Sequence, residues 1–169
     1  MKNLALISPD NYTAEQVARL LNLEPLEQEG GYFRRSAESS AILPGTGRRA
    51  YSVIYFLITP TGFSAMHRLD TDEIWCFHAG DGLQSLRLAP DGSGGIVRLG
   101  LAIGAGETVQ DVIPAGVWQG TRLRPGGRWA LCSCLVAPEF RWSGFELADR
   151  KVLLAGYPEF ASEIAALTR

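Results

Sequence analysis

The 169 residues carry 16 Lys and Arg against 18 Asp and Glu, for a formal net charge of −2, with 46% hydrophobic and 20% charged residues. That balance suits one globular domain over residues 1–169, with a core that needs no metal or disulfide staple. It excludes a nucleic-acid binder that works through a strongly basic face, since the pairs Arg34-Arg35 and Arg48-Arg49 are too short to form a patch.

Taken in chain order, the first element is a helix. Thr13-Ala14-Glu15-Gln16 has the form of a capping box, and Val17, Leu20 and Leu21 recur at helical spacing, which predicts a helix over about Thr13 to Asn22. After Gly30-Gly31 the texture changes to strands. Tyr51 to Thr59 is aromatic and β-branched on both faces, as a strand buried twice should be. Phe63 to Arg68, Glu73 to His78 and Leu83 to Ala89 follow at short intervals. Pro90 to Gly95 reads as a turn leading into Ile96 to Ile103. Trp118 to Leu123 and Arg128 to Val136 bracket a second turn at Arg124 to Gly127. Cys132 and Cys134 share one face of the last strand and read as buried thiols, because no second ligand pair at metal-site spacing accompanies them; with Cys76 they make no disulfide framework. After Pro158, Phe160, Ile164 and Leu167 fall on one helical stripe. Short strands at this spacing predict an antiparallel sandwich or barrel. No apolar run reaches membrane-spanning length and the first residues lack a leader pattern, so a cytoplasmic protein without membrane contact is expected.

Against that architecture the chain resembles the cupin superfamily, and within it a small subfamily (cupin type five) catalogued as a domain of unknown function. The marks are Glu29-Gly30-Gly31-Tyr32-Phe33-Arg34-Arg35, Ile54 to Leu57, His67-Arg68 with Asp72 to Trp75, Gly80-Asp81 and Leu99-Gly100. Val112 to Gln119, Val136 to Phe140 and Phe145 to Leu147 complete them. One departure is local: the family pattern has His-Pro before the Glu-Gly-Gly-Tyr run, where this chain has Glu27-Gln28. The resemblance implies a mainly β fold, the double-stranded β-helix or cupin jelly-roll barrel, flanked by a short N-terminal and a C-terminal helix. It also implies a homodimer and a ligand-sized cavity at one mouth, and no particular reaction.

Cupin metal sites combine imidazoles with one carboxylate. At the matching positions this chain has His67, then Leu69 for the second histidine, Glu73 for the carboxylate and Gln119 for the last histidine. One imidazole and one carboxylate are a thin set for a transition metal, and an amide oxygen is a weak third donor. No cofactor is therefore expected; a divalent metal, if bound, would use His67, Glu73 and Gln119. The same residues suit a small organic ligand such as a sugar, a nucleotide or an aromatic acid. Strand parity puts Phe63 and His67 on one face and Glu73, Trp75 and Phe77 on another, with Gln119 opposite and His78 turned away. Tyr32 and Arg34 share parity and are expected to reach an anionic group. The alternatives are a sugar or nucleotide-sugar isomerase or epimerase, and a metal-dependent enzyme with a depleted ligand set. In the first, His67 and Glu73 form an acid–base pair, and Tyr32 or Tyr55 is the candidate second acid.

Overall fold

The computed structural model describes residues 6–169. The first helix, α1 (Ala14–Leu21), starts on the expected capping box: Thr13 accepts from the Gln16 amide, and the Gln16 side chain accepts from the Thr13 amide. It stops at Asn22 in the left-handed conformation, which releases the chain into strands. Those are β1 (Glu24–Pro25), β2 (Tyr32–Glu38), β3 (Ser52–Ile58), β4 (Ser64–Leu69), β5 (Asp72–Gly80) and β6 (Leu83–Leu88). Then come β7 (Gly94–Leu99), β8 (Gln110–Ile113), β9 (Trp118–Leu123), β10 (Ala130–Ala137) and β11 (Phe145–Leu147), followed by α2 (Arg150–Gly156) and α3 (Ala161–Leu167).

The strands form two antiparallel sheets, one in the order β1-β2-β3-β10-β5-β8 and the other β11-β4-β9-β6-β7. Between them lies the main core, built on Phe56, Ile58, Trp75, Phe77, Leu83, Leu99, Leu123 and Cys132. Each sheet is also covered outside. On the first, Val17 of α1 packs with Leu57, Trp129 and Leu131. On the second, Leu153, Ile164 and Leu167 of α2 and α3 pack with Met66, Leu86 and Leu88. This double cover explains why Ser52–Ile58 is apolar on both faces: Ile54, Phe56 and Ile58 face the interior while Tyr55 and Leu57 face α1. At one seam the sheets are tied by side chains. Arg87 of β6 pairs with Asp111 of β8, and its guanidinium also donates to the carbonyl of Val112 at 3.0 Å.

Two glycines fix the entry into the barrel. Gly30 and Gly31 both have positive φ, at 114° and 73°. A Cβ on Gly30 would strike the carbonyl of Phe63, and one on Gly31 would lie 2.7 Å from the Phe56 ring. Only residues without a side chain fit this close passage. With the chain folded here, the Glu29 carbonyl accepts from the Ala65 amide at 3.1 Å, and its side chain turns inward beside β4.

Candidate functional site

The packed interior fills most of the space between the sheets. What remains is a cavity of about 120 Å³ near one mouth, lined by Glu29, His67, Glu73 and Cys134, by Leu26, Ile54, Leu69 and Val136, and by Phe33, Phe140 and Trp142. It is mostly apolar with a few convergent polar groups, the usual makeup of a ligand site. His67 is the centrepiece. It is 2% exposed and stacks on Phe145 at 5.1 Å between ring centroids. Nδ1 lies 2.8 Å from the Ala65 carbonyl, which makes it the protonated nitrogen and leaves Nε2 as the acceptor. Nε2 faces Glu73 Oε2 at 4.0 Å, too far for a hydrogen bond, and Nδ1 stands 3.8 Å from Glu29 Oε1. The imidazole thus sits between two carboxyls.

Each of these groups is displaced from its ordinary protonation behaviour, and burial is the first cause throughout. Burial lifts the Glu29 carboxyl from 4.5 to about 7, against the Ser64 hydroxyl bonded to it and the Arg169 charge. Glu73 is raised as well, with Glu29 adding to the effect and His67 and Gln119 opposing it. His67 is lowered, since loss of solvent outweighs the pull of Glu73 and the Ala65 carbonyl. Burial thus outweighs the neighbouring carboxylate, and a ring lowered from 6.5 is neutral at pH 7. Cys134 is pushed well above its usual range, again by burial first and then by Glu73, and is a neutral thiol.

The structure brings together His67 and Glu73 as anticipated, with Gln119 beside them. Gln119 pairs in register with His67, is 1% exposed, and donates from Nε2 to Glu73 Oε2 at 2.6 Å. Its Oε1 is buried without a partner. Trp75 and Phe77 face inward with Glu73 but lie deeper, in the packed core, where Trp75 tilts against Phe56 at 5.5 Å. Four residues are placed elsewhere, and these are corrections. Tyr32, Arg34 and Tyr55 lie on the outer face toward α1, where Arg34 donates from Nε to the Leu21 carbonyl at 2.6 Å and stacks over Tyr55. Their neighbours Phe33 and Arg35 line the cavity instead. Phe63 packs with the C-terminal helices under the Arg169 guanidinium. The reason is a bulge in β4: three steps from Ser64 to His67 match two from Thr121 to Gln119, so the side-chain alternation slips by one. Placing both tyrosines outside also removes them as acids acting on a ligand in the cavity.

Sequence reasoning missed Glu29 as a site residue. Glu29 stands within the Glu-Gly-Gly-Tyr motif, and a carboxylate directly ahead of two glycines that force a turn is a usable signal.

The donor set does not fit a resident metal of the cupin kind. Leu69 presents an alkyl chain to the cavity, the Gln119 amide is turned with its nitrogen toward Glu73, and a single imidazole remains. Among the described residues no group of three or more His, Cys, Asp or Glu side chains is disposed to hold a metal ion.

Comparison with known proteins agrees with this architecture. The family model described as Cupin superfamily (DUF985) matches residues 15–148. A protein from Shewanella oneidensis is 35% identical with a TM-score of 0.86, covering 94% of this chain and 98% of its own. A hypothetical protein from Leishmania major is 32% identical with a TM-score of 0.85, covering 93% and 99%. A solved structure of Bacillus subtilis oxalate decarboxylase, a protein with Mn(II) centres, is 15% identical with a TM-score of 0.53 over 86% of this chain and 37% of its own, and is alike in fold alone. No curated protein matches the chain.

Proposed function

Because this chain belongs to the cupin superfamily family DUF985, we propose that its barrel binds a small organic molecule in the His67–Glu73 cavity without a tightly held metal. The observation that carries this reading is the unengaged Nε2 of a buried neutral imidazole facing an apolar cavity. A polar atom with no protein partner on the wall of a mostly apolar cavity is what a ligand site provides. At about 120 Å³ the enclosed part accepts one ring or a short branched chain, a little less than the engineered cavity that holds benzene. A sugar or an aromatic ring fits the enclosed space; a nucleotide would leave its larger part at the mouth.

Acid–base chemistry on such a ligand is the second reading. It is supported by the neutral imidazole lying between two carboxyls whose protons are held to unusually high pH. In that reading His67 accepts a proton at Nε2 and Glu73 is the proton donor on its far side.

Ligand-observed NMR with a set of single-ring polar fragments tests the proposal. Saturation transfer is expected in the wild type and lost in Val136→Phe, which fills the cavity from β10. Elemental analysis of protein expressed with iron, manganese, nickel and zinc should find far less than one metal per chain. Fragments binding equally to the filled variant, or one metal per chain, would overturn the reading.

A further inference from the structure

We propose that the cavity selects a compact organic cation, a primary amine on a single apolar ring, with the ammonium meeting Glu73 and Nε2 of His67 and with Glu29 adding its charge from the other side of the ring. This rests on the ligand-binding reading above and names the class of molecule it takes. Glu29, His67 and Glu73 are the charged or titratable groups of the cavity interior beside the neutral Cys134 thiol, with the Ser52 hydroxyl on the wall and Arg35 at the mouth. Glu29 Oε1 and Glu73 Oε2 flank opposite nitrogens of His67 at 3.8 and 4.0 Å, and Nε2 offers a lone pair with no hydrogen bond to satisfy it. Among the described residues no Lys or Arg lies within ion-pair distance of either carboxylate; Arg169, bonded to the Glu29 carbonyl at 3.2 Å, and Arg87 act on Glu29 and Glu73 only from farther off. Arg35, at the mouth, is half exposed and committed to Glu38 at 3.1 Å. Arg87, behind the site, is committed to Asp111.

An ammonium group offers three donors and one positive charge, which suits the Glu73 carboxylate and the Nε2 lone pair as direct partners and Glu29 as a second negative charge nearby. Taking it from water is costly, and here the cost is offset because two buried carboxyls gain their missing counter-charge. A carboxylate or phosphate in the same place would meet Glu29 and Glu73 as like charges, with only the Ser52 hydroxyl inside to donate to it. The remaining wall suits the apolar part: Leu26, Ile54 and Val136 with Phe33, Phe140 and Trp142. Aromatic faces at the mouth also favour a cation on its way in.

The experiment compares three molecules of one frame, benzylamine, benzyl alcohol and benzoic acid, titrated at pH 8 into the wild type, Glu29→Gln and Arg35→Ala. Thermal unfolding of each protein confirms that it is folded. Benzylamine is expected to bind about tenfold or more tighter than the other two, the scale of a charge-assisted hydrogen bond. Glu29→Gln should cut that preference severalfold by removing one of the two negative charges, and Arg35→Ala should leave it intact or larger. Benzoic acid or benzyl alcohol binding as well as benzylamine would overturn the cation class while leaving a ligand cavity standing. Binding of none of the three to the wild type would overturn both.

Discussion

Trp75→Ala is expected to cost about 3–5 kcal/mol of stability, the range for removing a fully buried aromatic ring. Trp75 is 1% exposed and stands in the centre of the main core against Phe56, directly behind Glu73 on the same inward face of β5. Since a domain of this size has only about 5–15 kcal/mol in total, the variant should retain a small margin at best. One term works the other way. The Trp75 indole N–H is buried without a well-formed hydrogen bond and acts only weakly on the Glu73 carboxyl, so deleting it relieves part of a penalty of about 1–3 kcal/mol. Trp75→Phe separates the two effects, because it keeps most of the ring and loses only the orphaned donor. Urea unfolding should show a large fall in midpoint for the alanine variant and a shift of about 1 kcal/mol or less for phenylalanine. If both variants lose the same amount, the packing account of this position is wrong.

The second large effect depends on pH. Glu29 is displaced from 4.5 to about 7 on folding, so the folded chain holds its proton where the unfolded chain has released it. Stability contributed by this group is therefore fully present below about 4.5 and declines as pH rises toward 7. Above that value the ionised, buried carboxylate costs about 3 kcal/mol. Glu29→Gln removes the charge while keeping a group that can still bond Ser64. The variant should exceed the wild type in stability by up to about 3 kcal/mol at pH 8, and the gap should close as pH falls through the window to 4.5. His67, which is lowered, runs in the opposite sense: its penalty belongs to low pH and disappears as pH rises toward its ordinary value. It is common to both proteins, so their difference isolates Glu29. Equal stability at pH 8, or a gap that does not vary with pH, would contradict the burial argument. A gain in stability on removing a site residue is also what a functional group held at a cost should give.

Much of this could be read from the sequence because it rests on local signals. Thr13 and Gln16 announced α1 through the chemistry of its own cap. The turn residues around Gly92 marked a hairpin whose strands β6 and β7 pair as expected, whereas the turn at Gly126 joins β9 and β10, which part into different sheets instead of pairing. His67, Glu73 and Gln119 were found because spacing within a motif survives whatever the rest of the fold does. His78 was turned away by parity alone and indeed faces outward, where Nε2 meets the Ser133 hydroxyl at 2.9 Å. Alternation failed where an extra residue enters a strand. The bulge in β4 took Phe63 out of the cavity. In β2 the count began from two glycines with positive φ, after which either face was a fair starting point, and both faces are covered in the fold. Strands β8 and β11 and helix α2 were not anticipated. Gln110–Ile113 and Phe145–Leu147 are too short to show a period, and Arg150–Gly156 owes its start to the Asp149 cap rather than to a stripe.

The tie between Arg87 and Asp111 has a bearing on where this molecule breathes. Strand β8 has a backbone partner on one side only, and what holds its other side is one guanidinium gripping a carboxylate and the Val112 carbonyl. A ladder shares its load among many amides, whereas this seam has two backbone bonds at Thr108, ahead of the strand, and one side chain along the strand itself. Deuterium uptake should therefore run ahead in Gln110–Ile113 relative to Ala130–Ala137, which is paired on both sides, and Arg87→Met should quicken it there alone. The jelly roll would then open like a book whose spine is β10 and whose clasp is Arg87.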